Sequence, residues 1–327
     1  MSQRSREAVL AVLAKHYTQV GVTIVDSVTD LEALATGKPD LVFLGMKFVP
    51  LDPALGLLDP KKVWISQFLD RHDITYTGSG RRAQELELNK PLAKQRMIDA
   101  GLKTSPFCVA PRSKLMVPAN FALTYPLFVK PTNRGGGLGI DSDSLVHDSA
   151  RLKGKVESIA SRLQSDSLIE EYLPGREFSV AILKSEHFNH YSAMPIEKIA
   201  SPDKNGTRIL SRQVKSADAV GDLEVVDQVI KAGVTTLAVK AFRALGARDY
   251  GRIDIRLDAL GVPHFLEANL LPSLIEGYGS FPKACGINQG IDYESMILTL
   301  VRLALARQSN GYETIPKSRT LTTTVFG

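Results

Sequence analysis

The residues best suited to chemistry sit on two short, largely apolar stretches, Gly251-Arg-Ile-Asp-Ile-Arg-Leu257 and His264-Phe-Leu-Glu-Ala-Asn269. In an extended strand, side chains two positions apart share a face, so Arg252, Asp254 and Arg256 point together, as do Glu267 and Asn269. Asp258-Ala-Leu-Gly261 between them reads as a hairpin turn. If the hairpin pairs these faces, Asp254, Glu267 and Asn269 make an all-oxygen cluster beside Arg252. Such a donor set suits Mg²⁺, which keeps waters and bridges nucleotide phosphates. Taken alone, the same residues serve equally well as a solvated hairpin with ion-paired edges.

Two further segments carry the same theme. Leu127-Phe-Val-Lys130-Pro131 runs into Asn133-Arg-Gly-Gly-Gly-Leu-Gly139. A lysine closing an apolar strand is expensive to bury without an anion. Gly135, Gly136 and Gly137 would let backbone N–H groups come close to a phosphate. The spacing fits neither a Walker A loop nor a dinucleotide fingerprint, and a lone glycine-rich loop is as readily a flexible turn. In Ser167-Leu-Ile-Glu170-Glu-Tyr-Leu173-Pro-Gly-Arg-Glu177 an apolar strand ends in carboxylates and a Pro-Gly step. A nucleotide base held there would use backbone donors and acceptors, with Glu177 taking the ribose hydroxyls.

The elements that must position these residues alternate. Helices are expected over Arg6–Tyr17, around 31–35, and over 60–71, 85–103, 150–164, 222–245 and 290–307. Strands are expected at Val22–Val25, Asp40–Leu44, Ile74–Tyr76, Phe107–Ala110, Pro126–Lys130 and Ser167–Tyr172, then over 176–184 and 189–196 and in the two hairpin arms. A polar, basic loop is expected over 198–216, and the Thr-rich tail from Gln308 is expected to be loosely held. Such alternation argues for open α/β layers.

Composition narrows the function classes. At 44% hydrophobic and 23% charged residues the chain is ordinary globular protein, which excludes disorder. The net charge of +5 is scattered, so no nucleic-acid-binding stripe is expected. Cys108 and Cys285 lie far apart without a CxxC, which excludes a disulfide framework and argues against a zinc site. No stretch approaches the ~18 apolar residues of a membrane span, and the N-terminal apolar run is too short for a signal peptide. A cytoplasmic protein without a membrane partner is expected.

Five motifs in order then decide the reading. They are Tyr76-Thr-Gly-Ser-Gly80, Asn89-Lys90-Pro-Leu-Ala-Lys94, Phe128-Val-Lys130-Pro131, Leu168 through Glu177, and Gly251-Arg-Ile-Asp254 through Glu267-Ala-Asn269. Together they resemble the D-alanine–D-alanine ligase family of the ATP-grasp superfamily, over about residues 5–307. The resemblance implies an α/β (α+β) ATP-grasp fold. An N-terminal open α/β domain (1–84) would precede a central subdomain (85–175), a C-terminal subdomain with the metal site (176–307) and a polar tail (308–327). ATP would lie between two antiparallel β-layers, its phosphates on Lys90 and Lys130, its adenine amino group on Glu170 and its ribose on Glu177. The backbone at Tyr172 and Leu173 would read the adenine edge. Asp254, Glu267 and Asn269 would hold two Mg²⁺ (or Mn²⁺) ions, and Arg252 would face an acyl phosphate. The implied activity is ADP-forming joining of a small-molecule carboxylate to an amine. A homodimer is compatible with it.

Departures from the pattern bear on the substrate. Gly136 and Gly137 stand where the family has two serines, one of which reaches a substrate carboxylate. The family's N-terminal strand, and the glutamate after it that holds the first D-alanine's ammonium, have no counterpart at the start of this chain. Ser280 falls near a family substrate serine, although Leu270-Leu-Pro-Ser-Leu-Ile-Glu-Gly277 replaces the usual turn before it. The lysine of the loop over the phosphates is Lys215 or Arg212 takes its place. A ligase for an amino acid other than D-alanine is the expected function. A true D-alanine–D-alanine ligase and a noncatalytic nucleotide-binding module are the alternatives.

Overall fold

A computed structural model of the chain describes residues 1–114, 122–186, 190–200, 220–308 and 320–324. The N-terminal region contains α1 (Gln3–His16), β1 (Gln19–Thr23), α2 (Val28–Thr36), β2 (Leu41–Val42), β3 (Phe48–Val49), β4 (Val63–Trp64) and α3 (Ile65–Arg71). Next come α4 (Arg81–Leu88), α5 (Lys90–Asp99), β5 (Phe107–Ala110), β6 (Leu127–Pro131), β7 (Leu145–Val146), α6 (Ser149–Leu163) and β8 (Ser167–Glu171). The remainder holds β9 (Glu177–Lys184), β10 (Tyr191–Ala200), β11 (Val220–Glu224), α7 (Gln228–Ala244), β12 (Tyr250–Leu257) and β13 (Pro263–Asn269). It ends with α8 (Ser280–Gln289), α9 (Tyr293–Gln308) and β14 (Thr320–Thr324).

The largest layer is an antiparallel sheet in the order β11-β10-β9-β12-β13. Its two faces follow from period-2 alternation. Phe178, Val180 and Ile182 of β9 pack with Ile253 and Ile255 against Val234, Leu237, Ala238 and Phe242 of α7. On the opposite face, Ala181 and Leu183 join Met194 and Ile196 under Phe281, Ala284 and Cys285 of α8. Along the same face, toward the start of β9, Glu177 and Ser179 are left uncovered by that core. A second antiparallel sheet, β5-β8-β6-β7, packs Val129, Ile169, Val146 and Leu127 onto Leu152, Val156 and Ile159 of α6.

Several sequence expectations shift. The helix expected over 85–103 is two helices, because Asn89 ends α4 and caps α5, its side chain accepting from the Leu92 N–H with Pro91 in the first turn. The helix expected over 222–245 begins only at Gln228, capped by Asp227, and the preceding Val220–Glu224 is edge strand β11. Residues 63–64 form a strand before the helix expected over 60–71. Helix α8 was not anticipated. Part of the basic loop, 198–200, continues β10, and 201–219 lie outside the described residues.

The Thr-rich tail differs most. Thr320–Thr324 form the central strand of a parallel sheet, β1-β14-β2, pairing Gln19↔Thr320 through Thr23↔Thr324 on one side and Leu321↔Leu41, Thr322↔Val42 on the other. The first unit of the fold therefore takes its middle strand from beyond α9. Truncation after Gln308 should lower the thermal unfolding midpoint by at least about 4 °C, the scale of one or two kcal/mol in a chain this size. It should also speed amide exchange in 19–23 and 41–42. An unchanged midpoint with unchanged exchange there would refute the pairing.

Candidate active site

The two antiparallel sheets face each other across a cleft of about 540 Å³. Its lower wall is built by β12 and β13, and their register settles the hairpin question: Arg252 pairs with Asn269 and Asp254 with Glu267. Directly opposed residues share a face, so the three oxygen-bearing side chains converge as expected. Simple alternation along β13 would also have put Phe265 on that face. A β-bulge prevents it, since Ile255 pairs with Phe265 immediately after Asp254 pairs with Glu267, leaving Leu266 as the extra residue. Phe265 turns into the α7 core and Leu266 lines the cleft.

Both oxygens of Asp254 are engaged. Arg252 donates to them from Nε (2.8 Å) and Nη2 (2.7 Å), and Ser179 Oγ donates to Oδ1 at 2.8 Å. Burial opposes the charge on Arg252, but Asp254 and then Glu267 raise its pKa above the usual guanidinium value. Glu177 accepts from Arg256 Nη1 at 3.0 Å, and Arg256 Nη2 also donates to the Tyr172 hydroxyl at 2.8 Å.

The upper wall holds the lysines. Lys90 and Lys94 lie one turn apart on α5, hence on one side of it. Lys90 Nζ donates to the Arg134 carbonyl at 2.5 Å and lies 3.6 Å from Glu267. Burial pulls its pKa below the ordinary lysine value, partly offset by Glu267. Lys130, at the end of β6, is 2.7 Å from Glu170 Oε2, while Lys94 is 2.6 Å from Oε1 of the same carboxylate. Burial would raise the pKa of Glu170, but the ammoniums of Lys130 and Lys94 hold it at about 2. Burial likewise works against Lys130, yet Glu170 and then Glu267 lift it above the usual lysine value.

The remaining expected residues take their places around this frame. Gly135 and Gly136 line the cleft, and Gly137 is buried beside them. Gly136 (φ +63°) and Gly137 (φ +78°) both occupy the left-handed region, so the loop's path calls for glycine at the two positions. Leu173 and Tyr172 also line the cleft, but the Tyr172 N–H is committed to the Pro126 carbonyl at 3.1 Å. Ser280 begins α8 on the cleft wall and accepts from Lys198 Nζ at 3.1 Å. Lys215 and Arg212 lie outside the described residues.

Four features escaped the sequence. Lys198 is ion-paired with Asp222, which Lys283 also approaches at 3.1 Å, making a small charged group around Ser280. Ser179 fixes Asp254 from the neighbouring strand. Glu87 lines the cleft, pairs with Lys47 at 2.6 Å, and has its Oε2 buried without a partner among the described residues. Lys94 sits behind Glu170, bonded to Thr104 Oγ1 at 2.6 Å and Ser105 Oγ at 2.9 Å. A lone polar residue between apolar ones was the available signal for Ser179; for Lys198 and Asp222 only the strand pairing reveals it.

Comparison with known proteins agrees with this architecture. Residues 98–302 match the family model described as D-ala D-ala ligase C-terminus, more than half of the chain. The D-alanine–D-alanine ligase of Bordetella petrii is 30% identical over 234 residues, 72% of this chain and 69% of that protein. That of Pediococcus pentosaceus is 29% identical over 72% of this chain, which spans 64% of the relative's length. An uncharacterized protein, y4sG, from Sinorhizobium fredii is 29% identical over 74% of this chain and 70% of its own length. Among solved structures, the Bacillus anthracis D-alanine–D-alanine ligase complexed with ATP superposes with a TM-score of 0.60 at 21% identity, covering 76% of each chain. The VanG D-Ala:D-Ser ligase of Enterococcus faecalis gives a TM-score of 0.62 at 19% identity, covering 81% of this chain and 73% of its own. Among the described residues, no helix is long and apolar enough to cross a membrane. The fold is ATP-grasp, and the chain belongs to the D-alanine–D-alanine ligase family.

Proposed function

We propose that this chain is an ATP-dependent carboxylate–amine ligase that forms an amide bond through an acyl phosphate. The observation that carries the reading is the division of charge across one cleft: Lys90 and Lys130 on one wall face Asp254, Glu267, Asn269 and Arg252 on the other. A simple nucleotide-binding module has no use for the second set. In the reaction, a substrate carboxylate oxygen attacks the γ-phosphorus of ATP and ADP leaves. The amine nitrogen then attacks the acyl carbon, loses a proton, and phosphate departs. A carboxylate is inert to amines until phosphorylation gives it a leaving group.

The chain's residues divide that work. Lys90 and Lys130 hold phosphate oxygens, with the Gly135–Gly137 backbone over them, and Glu177 takes the ribose. Glu170, its oxygens shared between two lysines, has a carboxylate edge left for the adenine amino group. The base is read by the backbone near Leu173 rather than by the Tyr172 N–H, which is already bonded. Asp254, Glu267 and Asn269 fit Mg²⁺ or Mn²⁺: they are hard oxygen donors, two of them carboxylates, gathered by strand register. Metal bound there neutralises phosphate charge and polarises the phosphoryl group. Arg252, bonded to Asp254 beside that donor set, would present its remaining N–H groups to the acyl phosphate and the tetrahedral oxyanion, where fixed positive charge lowers the barrier.

Glu267→Gln keeps the strand's shape and removes one charge from the metal set. It should lower turnover by orders of magnitude, and wild-type turnover in excess chelator would overturn the metal assignment.

For the substrate, we propose an amino acid other than D-alanine. The family's loop serine is replaced by Gly136, whose positive φ disfavours a serine. Losing one charged hydrogen bond of ~1.5–3 kcal/mol corresponds to ~10–10²-fold in selectivity. The relatives' names favour a second reading, a true D-alanine–D-alanine ligase. Supplying D-alanine with ATP should yield little dipeptide, while a screen of amino-acid pairs for ADP release finds a better substrate. Efficient D-alanyl-D-alanine formation at submillimolar D-alanine would establish the second reading.

A further inference from the structure

Lys94 is completely buried, does not reach the cleft, and yet carries a charge that an apolar side chain would spare the fold. Its ammonium makes contacts of 2.6 Å to Thr104 Oγ1, 2.9 Å to Ser105 Oγ and 2.6 Å to Glu170 Oε1. Ser105 Oγ in turn donates to Glu170 Oε1 at 3.2 Å. The other oxygen of Glu170 is held by Lys130 at 2.7 Å. Two ammoniums and one carboxylate leave the triad with one net positive charge, and Lys130 and Glu170 are its members on the cleft wall. Were Lys94 neutral, Glu170 and Lys130 would form a balanced buried pair, with no excess charge to offer an anion.

We propose that Lys94 is a positioning residue for nucleotide binding: by occupying one oxygen of Glu170, it keeps the ammonium of Lys130 only half compensated and available to an ATP phosphate. The inference rests on the assignment of Lys130 to the phosphates. It explains why a buried ion triad persists where well-packed apolar residues are often as stable or more so. Burial sharpens the effect, because charges in a low-dielectric interior are poorly screened by solvent and salt.

Charge arithmetic gives a test that separates this role from packing. Lys94→Met reduces the triad's net charge from +1 to 0, whereas Lys94→Arg changes the side chain's shape and keeps the charge at +1. Binding of the nonhydrolysable analogue AMP-PNP with Mg²⁺, measured by titration calorimetry, should weaken roughly 10–100-fold in Lys94→Met. Lys94→Arg should stay within about threefold of wild type. Melting temperatures measured in parallel report packing alone and should not follow the affinity. If Lys94→Met does not fold, the neutral and polar Lys94→Gln decides: a loss beyond tenfold supports the proposal, and affinity within about threefold of wild type overturns it. An unchanged affinity in Lys94→Met, or a Lys94→Arg variant as weak as Lys94→Met, would show that Lys94 only fills space. A wild-type chain that binds no AMP-PNP would overturn both this proposal and the ligase reading, whereas wild-type binding insensitive to Lys94 removes the proposal alone.

Discussion

The pairing of β12 with β13, and the bulge that breaks it, is the constraint on which the rest depends. A strand whose one side lies on a hydrophobic core and whose other side lines a polar cleft must keep its alternation in phase. One residue out of phase exchanges the two faces. Here Ile253, Ile255 and Phe265 face α7 while Asp254 and Glu267 oppose each other on the cleft side. Both are possible only because Leu266 absorbs the phase error between Phe265 and Glu267. Without the bulge either a phenylalanine would be wetted or a carboxylate would be driven into an apolar core, where an unpaired charge is costly.

The same sheet explains how so many charges are held in a small volume. Helix α8 covers only part of the face opposite α7, and the uncovered part begins where Glu177 and Ser179 replace Ala181 and Leu183 along β9. Every charged group on that part has a neighbour of opposite sign or a hydroxyl: Arg252 on Asp254, Arg256 on Glu177, Lys198 on Asp222, Ser179 on Asp254. Charges arranged in this way need little reorganisation to meet a nucleotide, because the partners exchange ligands rather than being exposed afresh. The glycine-rich loop adds backbone donors at two positions whose left-handed conformation favours glycine.

How much of this was legible in the sequence depends on whether the signal was local. Asp254, Glu267 and Asn269 could be placed on one face from spacing alone, because a hairpin with a short turn fixes its own pairing. The bulge could not be foreseen, since Phe265 and Glu267 share a period-2 face on paper. Strand β11 was read as the start of a helix because five residues at a sheet edge carry no helix-breaking residue beyond Gly221. The break at Asn89 was missed although Asn-Lys-Pro is a good start signal, because the apolar positions on either side stay in phase with one long helix. Lys94 stood in a quoted motif without a role. Its meaning lies in a residue seventy-six positions away, Glu170, and no local pattern contains that contact.

Strand β14 is the clearest case of a non-local signal, and it bears on how the chain is organised. Thr320-Leu-Thr-Thr-Thr324 is β-branched and polar, a composition that fits a strand as well as a tail. What decides is the vacancy it fills. With β14 removed, β1 would have no strand neighbour among the described residues, and β2 would keep only its parallel bridge from Val42 to Tyr76. Parallel pairing also sets direction. Carrying the Leu321↔Leu41 and Thr322↔Val42 register forward brings Thr324 level with Leu44, one residue before Gly45, whose carbonyl receives the Met1 amino group at 2.6 Å. The far end of β14 and the entry to α1 therefore meet at the same rim of the sheet. A fold requires that each slot in a sheet be filled in the right direction, and the order in which the chain visits the slots is free when the ends of the elements lie close together. The middle of this sheet is filled from the other side of α9.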